Sequence, residues 1–234
     1  MIVTTHKISA AVSRRWCIAQ VSDLHDRNPR PVLDALAAQP PDIIAVTGDL
    51  FNRLADATYA LPFLKEAAAI APTFYAPGNH EWLEEGDEER IAATGAVFLC
   101  DRAVTFQELT VGGLCSGFRR ERQGNCKRTP PPDTAFLADF AGQPGFKLLL
   151  CHHPEYYPTY IRQLPIDLTL SGHAHGGQWQ VFGRGIFAPG QGLFPRYTGG
   201  VYENRLVVSR GLSNTAPAPR FGNPTELVYI LLDK

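Results

Sequence analysis

The sequence predicts an α/β fold, and three features carry that prediction. Up to residue 100, apolar runs of strand length alternate with helix-periodic segments, the pattern of strand–helix–strand units with parallel pairing. Residues 42–47 form an almost unbroken apolar run, as a strand covered on both faces requires. Beyond residue 100, strand-like runs follow one another with few long helices between them, which implies a mixed or second sheet.

In chain order, residues 15–21 read as a strand that ends at Ser22-Asp23. Residues 31–39 read as a short helix with Pro31 early, where a missing N–H costs little, and Pro40-Pro41 stops it. The strand at 42–47 follows. Residues 58–70 have a helical period, with Pro62 in the first turn, and 73–76 form a short strand that runs into the Pro77-Gly78 turn. Residues 84–94 read as a polar helix, and Gly95 opens a strand at 96–100. Further strands are predicted at 103–107, 109–113, 147–151, 167–170, 200–203, 206–209 and 227–232, with Glu203-Asn204-Arg205 closing a hairpin.

The segment 118–132 stands apart, because it lacks apolar periodicity. It is basic first (Arg119, Arg120, Arg122, Lys127 and Arg128 against Glu121) and then proline-rich. Two readings stay open for it: a solvated surface loop, or a flap that meets an anionic substrate or surface.

The 234 residues fit one domain spanning 1–234, large enough for a sizeable core. Apolar content of 44% and charged content of 19% are ordinary for a soluble globular chain. A net charge of −1 gives no global attraction to nucleic acid, so no specific nucleic-acid binding is expected. The apolar runs fall far short of the ~20 residues that span a bilayer, and the first residues lack a signal peptide's apolar stretch. Five cysteines (Cys17, Cys100, Cys115, Cys126, Cys151) without CxxC spacing suggest free thiols in a reducing compartment. The expected location is cytoplasmic, with peripheral contact to a membrane allowed and no transmembrane segment.

Five stretches that follow apolar runs concentrate metal-capable side chains. They are Asp23-Leu24-His25, Gly48-Asp49, Gly78-Asn79-His80-Glu81, His152 with His153, and Gly172-His173-Ala174-His175. Alone, each is more often structural than catalytic. Together, at the ends of strands lying side by side, they bring carboxylates, an amide and imidazoles into one crevice. That donor set suits two divalent cations and points to hydrolysis of phosphate esters. Cations ~3.5–4 Å apart need a bridging ligand, and Asp49 is the expected bridge. Asn79 supplies a neutral oxygen where another anion would over-neutralise the site. A water shared by two cations deprotonates readily, giving a bridging hydroxide that attacks phosphorus in line.

This ordered set resembles the calcineurin-like metallophosphoesterase superfamily, from about residue 16 to the C-terminus. The resemblance implies a four-layer α/β/β/α sandwich of two mixed sheets with a dimetal site at the strand ends. It implies a first metal site of Asp23, His25, Asp49 and His175, and a second of Asp49, Asn79, His152 and His173. His80 is similar to the family's non-ligand histidine, which hydrogen-bonds the phosphate and protonates the leaving oxygen, so His80 and Asp49 are the expected catalytic residues. Manganese, iron and zinc all suit the donors. The family's His-x-Pro pattern selects His152 as ligand and leaves His153 to a surface or substrate-facing role. Many relatives have Asp where this chain has Glu81, whose longer side chain is expected to orient His80.

Gly172-His173-Ala174-His175-Gly176-Gly177-Gln178, with Ser209-Arg210-Gly211-Leu212 and Pro219-Arg220-Phe221-Gly222-Asn223-Pro224, resembles the YaeI/YkuE-type phosphodiesterase branch. That likeness implies a phosphodiester, phosphomonoester or pyrophosphate substrate, including lipid-linked ones. The alternatives are a soluble nucleotide or cyclic-nucleotide phosphodiesterase, and a non-catalytic metal-binding scaffold. The scaffold is disfavoured because every expected position is filled. Arg210 and Arg220 read either as phosphate clamps or as structural arginines that satisfy carbonyls. Phe182, Phe187, Phe194 and Tyr197 read either as pocket walls or as ordinary packing.

Overall fold

The computed structural model describes residues 1–119, 129–214 and 219–234. Most of the basic stretch of 118–128 therefore lies outside the described residues. One six-stranded sheet contains β1 (Ile2–Ser9), β2 (Trp16–Val21), β3 (Ile43–Val46), β4 (Thr73–Tyr75), β5 (Val97–Phe98) and β16 (Glu226–Asp233), in the order β1-β16-β2-β3-β4-β5. The other contains β6 (Arg102–Phe106), β7 (Leu109–Leu114), β8 (Phe146–Cys151), β9 (Leu168–Ser171), β14 (Gly200–Tyr202) and β15 (Leu206–Val208), in the order β14-β15-β9-β8-β7-β6. Two short hairpins follow β9: β10 (Gln180–Val181) with β11 (Arg184–Gly185), and β12 (Phe187–Ala188) with β13 (Gly192–Leu193).

Pairing in the first sheet is parallel from β2 through β5, as the strand–helix alternation predicts, and β16 enters antiparallel to β2. Strand period two divides the side chains between layers. Ile18, Ile43, Ala45, Phe74, Val228 and Ile230 pack against Val111, Leu148, Leu150, Leu168, Leu170 and Val207 of the other sheet. Alternate residues, such as Ala19, Val21, Ile44, Val46 and Tyr75, pack under helices α1 (Arg30–Ala38), α2 (Ala60–Ile70) and α3 (Asp87–Ala92). The second sheet's outer face is covered by α4 (Thr134–Ala141) and a π-turn at Tyr157–Ile161. These three apolar interfaces separate four layers, the expected α/β/β/α arrangement.

Besides the two short hairpins after β9, which the sequence did not announce, the structure departs from the sequence reading in four places. β1 carries no strand signal because only Ile8 of its eight residues is buried, at the sheet's edge. α4 is announced by the Asp133 cap, whose Oδ1 accepts from Ala135 N and Phe136 N, but the preceding prolines mask it. The polar helix expected over 84–94 shortens to α3, because Gly86 stands in the left-handed region at its N-cap. Finally, the free-thiol expectation fails for Cys100 and Cys115, which form a disulfide between the segments following β5 and β7. Cys17 and Cys151 are free, and Cys126 lies outside the described residues.

Candidate metal centre

Parallel register delivers the candidate ligands to one edge. Asp23, Asp49 and Asn79 follow β2, β3 and β4, while His152 and His173 follow β8 and β9. The two loops of the first sheet are locked together by Asp23 N donating to Gly48 O (3.0 Å) and His25 N donating to Asp49 O (2.9 Å). The sheets are joined beneath the site by buried Gln20, whose Nε2 donates to Ser171 O (2.8 Å) and Thr47 Oγ1 (3.1 Å).

Backbone chemistry then aims the side chains. Asp23, His25, Asp49, His173 and His175 all hold φ between 46° and 64°, a region costly for residues with a Cβ. Gly48 (φ 93°) and Gly78 are required sterically: a Cβ on Gly48 would lie 2.6 Å from Gly78 N and 2.7 Å from His152 Nδ1. Left-handed non-glycine residues concentrated among the candidate ligands are strain stored at a site.

Two groups of ligand atoms result, Asp23 with His25 and His175, and Asp49 with His152 and His173. Asp49 lies between them, its Oδ2 3.5 Å from His25 Nε2 and 3.2 Å from His152 Nε2. Asp23 Oδ1 lies 3.3 Å from His175 Nε2. Asn79 is flanked by Gly78, packed on Asp49, and His80, whose N donates to Asp49 Oδ1 at 3.0 Å. His25 Nε2, His152 Nε2 and Asn79 Oδ1 are buried without a hydrogen bond. His25 Nε2 and Asn79 Oδ1 are acceptors that a cation would satisfy, and His152 Nε2 faces Asp49 where a cation would take the place of its proton, so the donor set fits divalent metal.

Electrostatics agree. Burial lowers His25 to about 4 and, with the neighbouring His153, lowers His173 to about 3, so both keep lone pairs free at neutral pH. Burial also opposes a charge on His152, but Asp49, Asp23 and Glu81 outweigh it and push it up to about 10. Without cations, the carboxylates thus draw a proton in compensation.

Surrounding contacts include several that sequence reasoning missed. His152 Nδ1 meets Thr47 O at 2.7 Å, turning Nε2 toward Asp49. Glu81 does not orient His80. It turns inward and accepts from Asp49 N, Leu50 N, Gly78 N and the Tyr75 hydroxyl, bracing the turn on which Asp49 sits. Burial and the Asp49 charge push Glu81 up to about 7. His80 is exposed and meets Asn52 Oδ1 through Nδ1 at 3.0 Å instead. No local signal identified Asn52, because it reaches His80 across 28 residues.

His153 is buried, contrary to its expected surface or substrate-facing role. Its Nε2 meets Ser116 Oγ at 2.8 Å and its Nδ1 meets Glu155 Oε1 at 3.2 Å. Burial alone would raise Glu155, but His173, His153 and the Thr129 hydroxyl hold it down at about 2. Arg220 satisfies the carbonyls of Arg210 and Ser213, the structural role, and also places Nη2 3.0 Å from His175 Nδ1. Tyr197 packs in the core, whereas Phe182 and Phe194 are exposed.

A family model described as calcineurin-like phosphoesterase matches residues 18–177. An uncharacterized metallophosphoesterase of Helicobacter pylori is 27% identical over 210 residues, covering 86% of this chain and 54% of its own length. This chain therefore spans about half the length of that relative. Phosphodiesterase YaeI of Escherichia coli is 31% identical over 219 residues, covering 83% of this chain and 74% of its own. One solved crystal structure superposes with a TM-score of 0.51 at 16% identity, over 68% of this chain and 84% of that one, a likeness of fold.

Proposed function

Since the chain belongs to the calcineurin-like phosphoesterase family, we propose that it hydrolyses phosphate esters at a pair of divalent cations. The observation that carries this reading is the pair of ligand groups set about Asp49, with the buried atoms His25 Nε2 and Asn79 Oδ1 left without a hydrogen bond. Asp23, His25 and His175 would hold one cation, and Asn79, His152 and His173 the other, with Asp49 shared. Donors of oxygen and imidazole, without thiolate, suit manganese, iron or zinc. Bound there, two such cations activate a water for in-line attack and offset charge on the phosphoryl oxygens.

The chain's own groups do the rest. Thr47 O and Arg220 fix the rings of His152 and His175, and the Glu81 cradle holds the Asp49 turn rigid. His80 stands at the rim, its ring 4.9 Å from that of His25. With Nδ1–H donated to Asn52 Oδ1, the ring carries a proton on Nε2 only as the imidazolium, and that form would deliver the Nε2 proton to the departing oxygen and be left as the neutral ring.

The test is turnover of bis(p-nitrophenyl) phosphate by metal-reconstituted protein. Asp49→Asn and His152→Ala abolish turnover and lower bound metal. His80→Ala loses on the order of 10²-fold in kcat, the usual scale of a general acid, and keeps its metal. Full activity in both ligand variants would remove the site, and equal loss of metal and rate in His80→Ala would remove the role given to His80. A panel of nucleotides, cyclic nucleotides and lipid pyrophosphates then assigns the substrate class.

A further inference from the structure

We propose that the two hairpins following the candidate metal ligands form a docking surface for a lipid bilayer with anionic headgroups. Phe182, at the turn joining β10 to β11, is fully exposed, and Leu193, Phe194 and Phe221 are exposed to 70%, 74% and 69%. Trp179 is half-exposed and is bridged in parallel to Phe221. The backbone joins these residues into one platform. Gln180 N donates to Phe221 O (2.8 Å), Ile186 N to Trp179 O (2.9 Å), and Phe194 N to Ile186 O (2.8 Å). Scattered exposed apolar residues need no explanation, but a joined group of this size marks an interaction surface.

Neither backbone preference nor packing accounts for the two phenylalanines. Phe182 and Phe194 hold φ of 50° and 52°, where a bulky side chain is an outlier and Gly or Asn is at ease. Each ring thus occupies an unfavourable backbone position and returns little burial within the chain.

The charge pattern selects the occupant. From residue 171 to 200 the sequence has two arginines, Arg184 and Arg196, and neither Asp nor Glu. Arg184 has no acidic partner among the described residues, and Arg196 approaches Glu203 only to 3.8 Å. Both line, with Phe194, a groove of about 450 Å³ that contains no carboxylate. Apolar tips flanked by Arg184, which has no acidic partner among the described residues, and by exposed Arg196, held only in a long 3.8 Å ion pair with Glu203, match the bilayer interface, where rings enter the acyl boundary and cations meet anionic headgroups. A fluid bilayer accepts protruding tips without a matching shape, which a protein partner would have to supply. The platform is rooted on the ligand loop, since Ile186 N donates to Gly177 O (3.1 Å), and Arg220, which meets His175, directly precedes Phe221. Docking would therefore set the mouth of the metal centre beside the headgroups.

The test is cosedimentation of the whole chain with vesicles of phosphatidylcholine alone and of phosphatidylcholine with phosphatidylglycerol. It requires no turnover, so it stands or falls apart from the hydrolytic reading. The parent chain partitions onto the anionic vesicles. The Phe182→Ser/Phe194→Ser double variant binds them about tenfold or more weakly, the scale of losing two buried apolar side chains. Arg184→Gln/Arg196→Gln loses the preference for anionic lipid, and added salt does the same to the parent chain. Circular dichroism of the variants matches the parent, because the altered side chains are exposed. A parent chain that stays in the supernatant with both vesicles overturns the proposal, as does a Phe double variant that binds like the parent. A parent dimer in ultracentrifugation that Phe182→Ser dissolves would assign the platform to a second copy instead.

Discussion

The ring of His80 is held by a residue 28 positions away. Asn52 Oδ1 faces His80 Nδ1 at 3.0 Å, while Glu81, its sequence neighbour, points into the core. Adjacent side chains in a tight turn diverge, so proximity in sequence misassigned the partner. Asn52→Ala should lower kcat on bis(p-nitrophenyl) phosphate about tenfold, part of the larger loss expected for His80→Ala, with bound metal unchanged. An unaltered kcat would show that Asn52 does not position the ring. The candidate ligands themselves were legible, because each motif places a metal-capable side chain directly after a predicted strand. Glu155 was not, and of Arg220 only its carbonyl-satisfying role was readable, since a carboxylate or guanidinium against a histidine ring is a contact made by folding.

At the scale of elements, strands with an apolar period were readable and elements held by tertiary pairing were not. β3 and β8 declare themselves through nearly continuous apolar residues, whereas β1 is an edge strand whose register with β16 is set by backbone pairing. The hairpins β10–β11 and β12–β13 consist of two-residue strands, too short for any period. The Cys100–Cys115 disulfide ties the first sheet's β5 to the second sheet's β7 across a separation of 15 residues. A closed loop of this length contributes ~3 kcal/mol in the chain-entropy picture. Cys115→Ser, or reduction of the parent, should shift the urea midpoint down by a corresponding amount. An unchanged midpoint on reduction would mean the link contributes nothing to stability.

For the molecule as a whole, the candidate metal centre makes the cation-free fold sensitive to pH from both sides. His25 and His173 take up a proton near pH 6.5 in the unfolded chain but only near 4 and 3 when folded. Unfolding then binds protons, so stability is present above pH 6.5 and is lost as pH falls below it, by about 1.4 kcal/mol per histidine per pH unit. His152 has the opposite sign. Its folded value is raised to about 10, so its contribution is full below pH 6.5 and is lost as pH rises toward 10. Thermal melting of the cation-free protein should therefore give a maximum near pH 6.5, and loading with divalent metal should remove the alkaline decline, because ligand histidines bind unprotonated. A decline that persists with metal bound would contradict the placement of His152. The sequence by itself determined the layered α/β class and the candidate ligands, because strand period and strand-end motifs are local and repeat along the chain. Only the tertiary structure decided that Asp49 lies between two ligand groups, that Asn52 meets His80, that Cys100 joins Cys115, and that Phe182 and Phe194 stand in solvent. Each of those facts is a distance or an exposure between segments far apart in sequence, fixed when two sheets pack and their carboxyl ends meet.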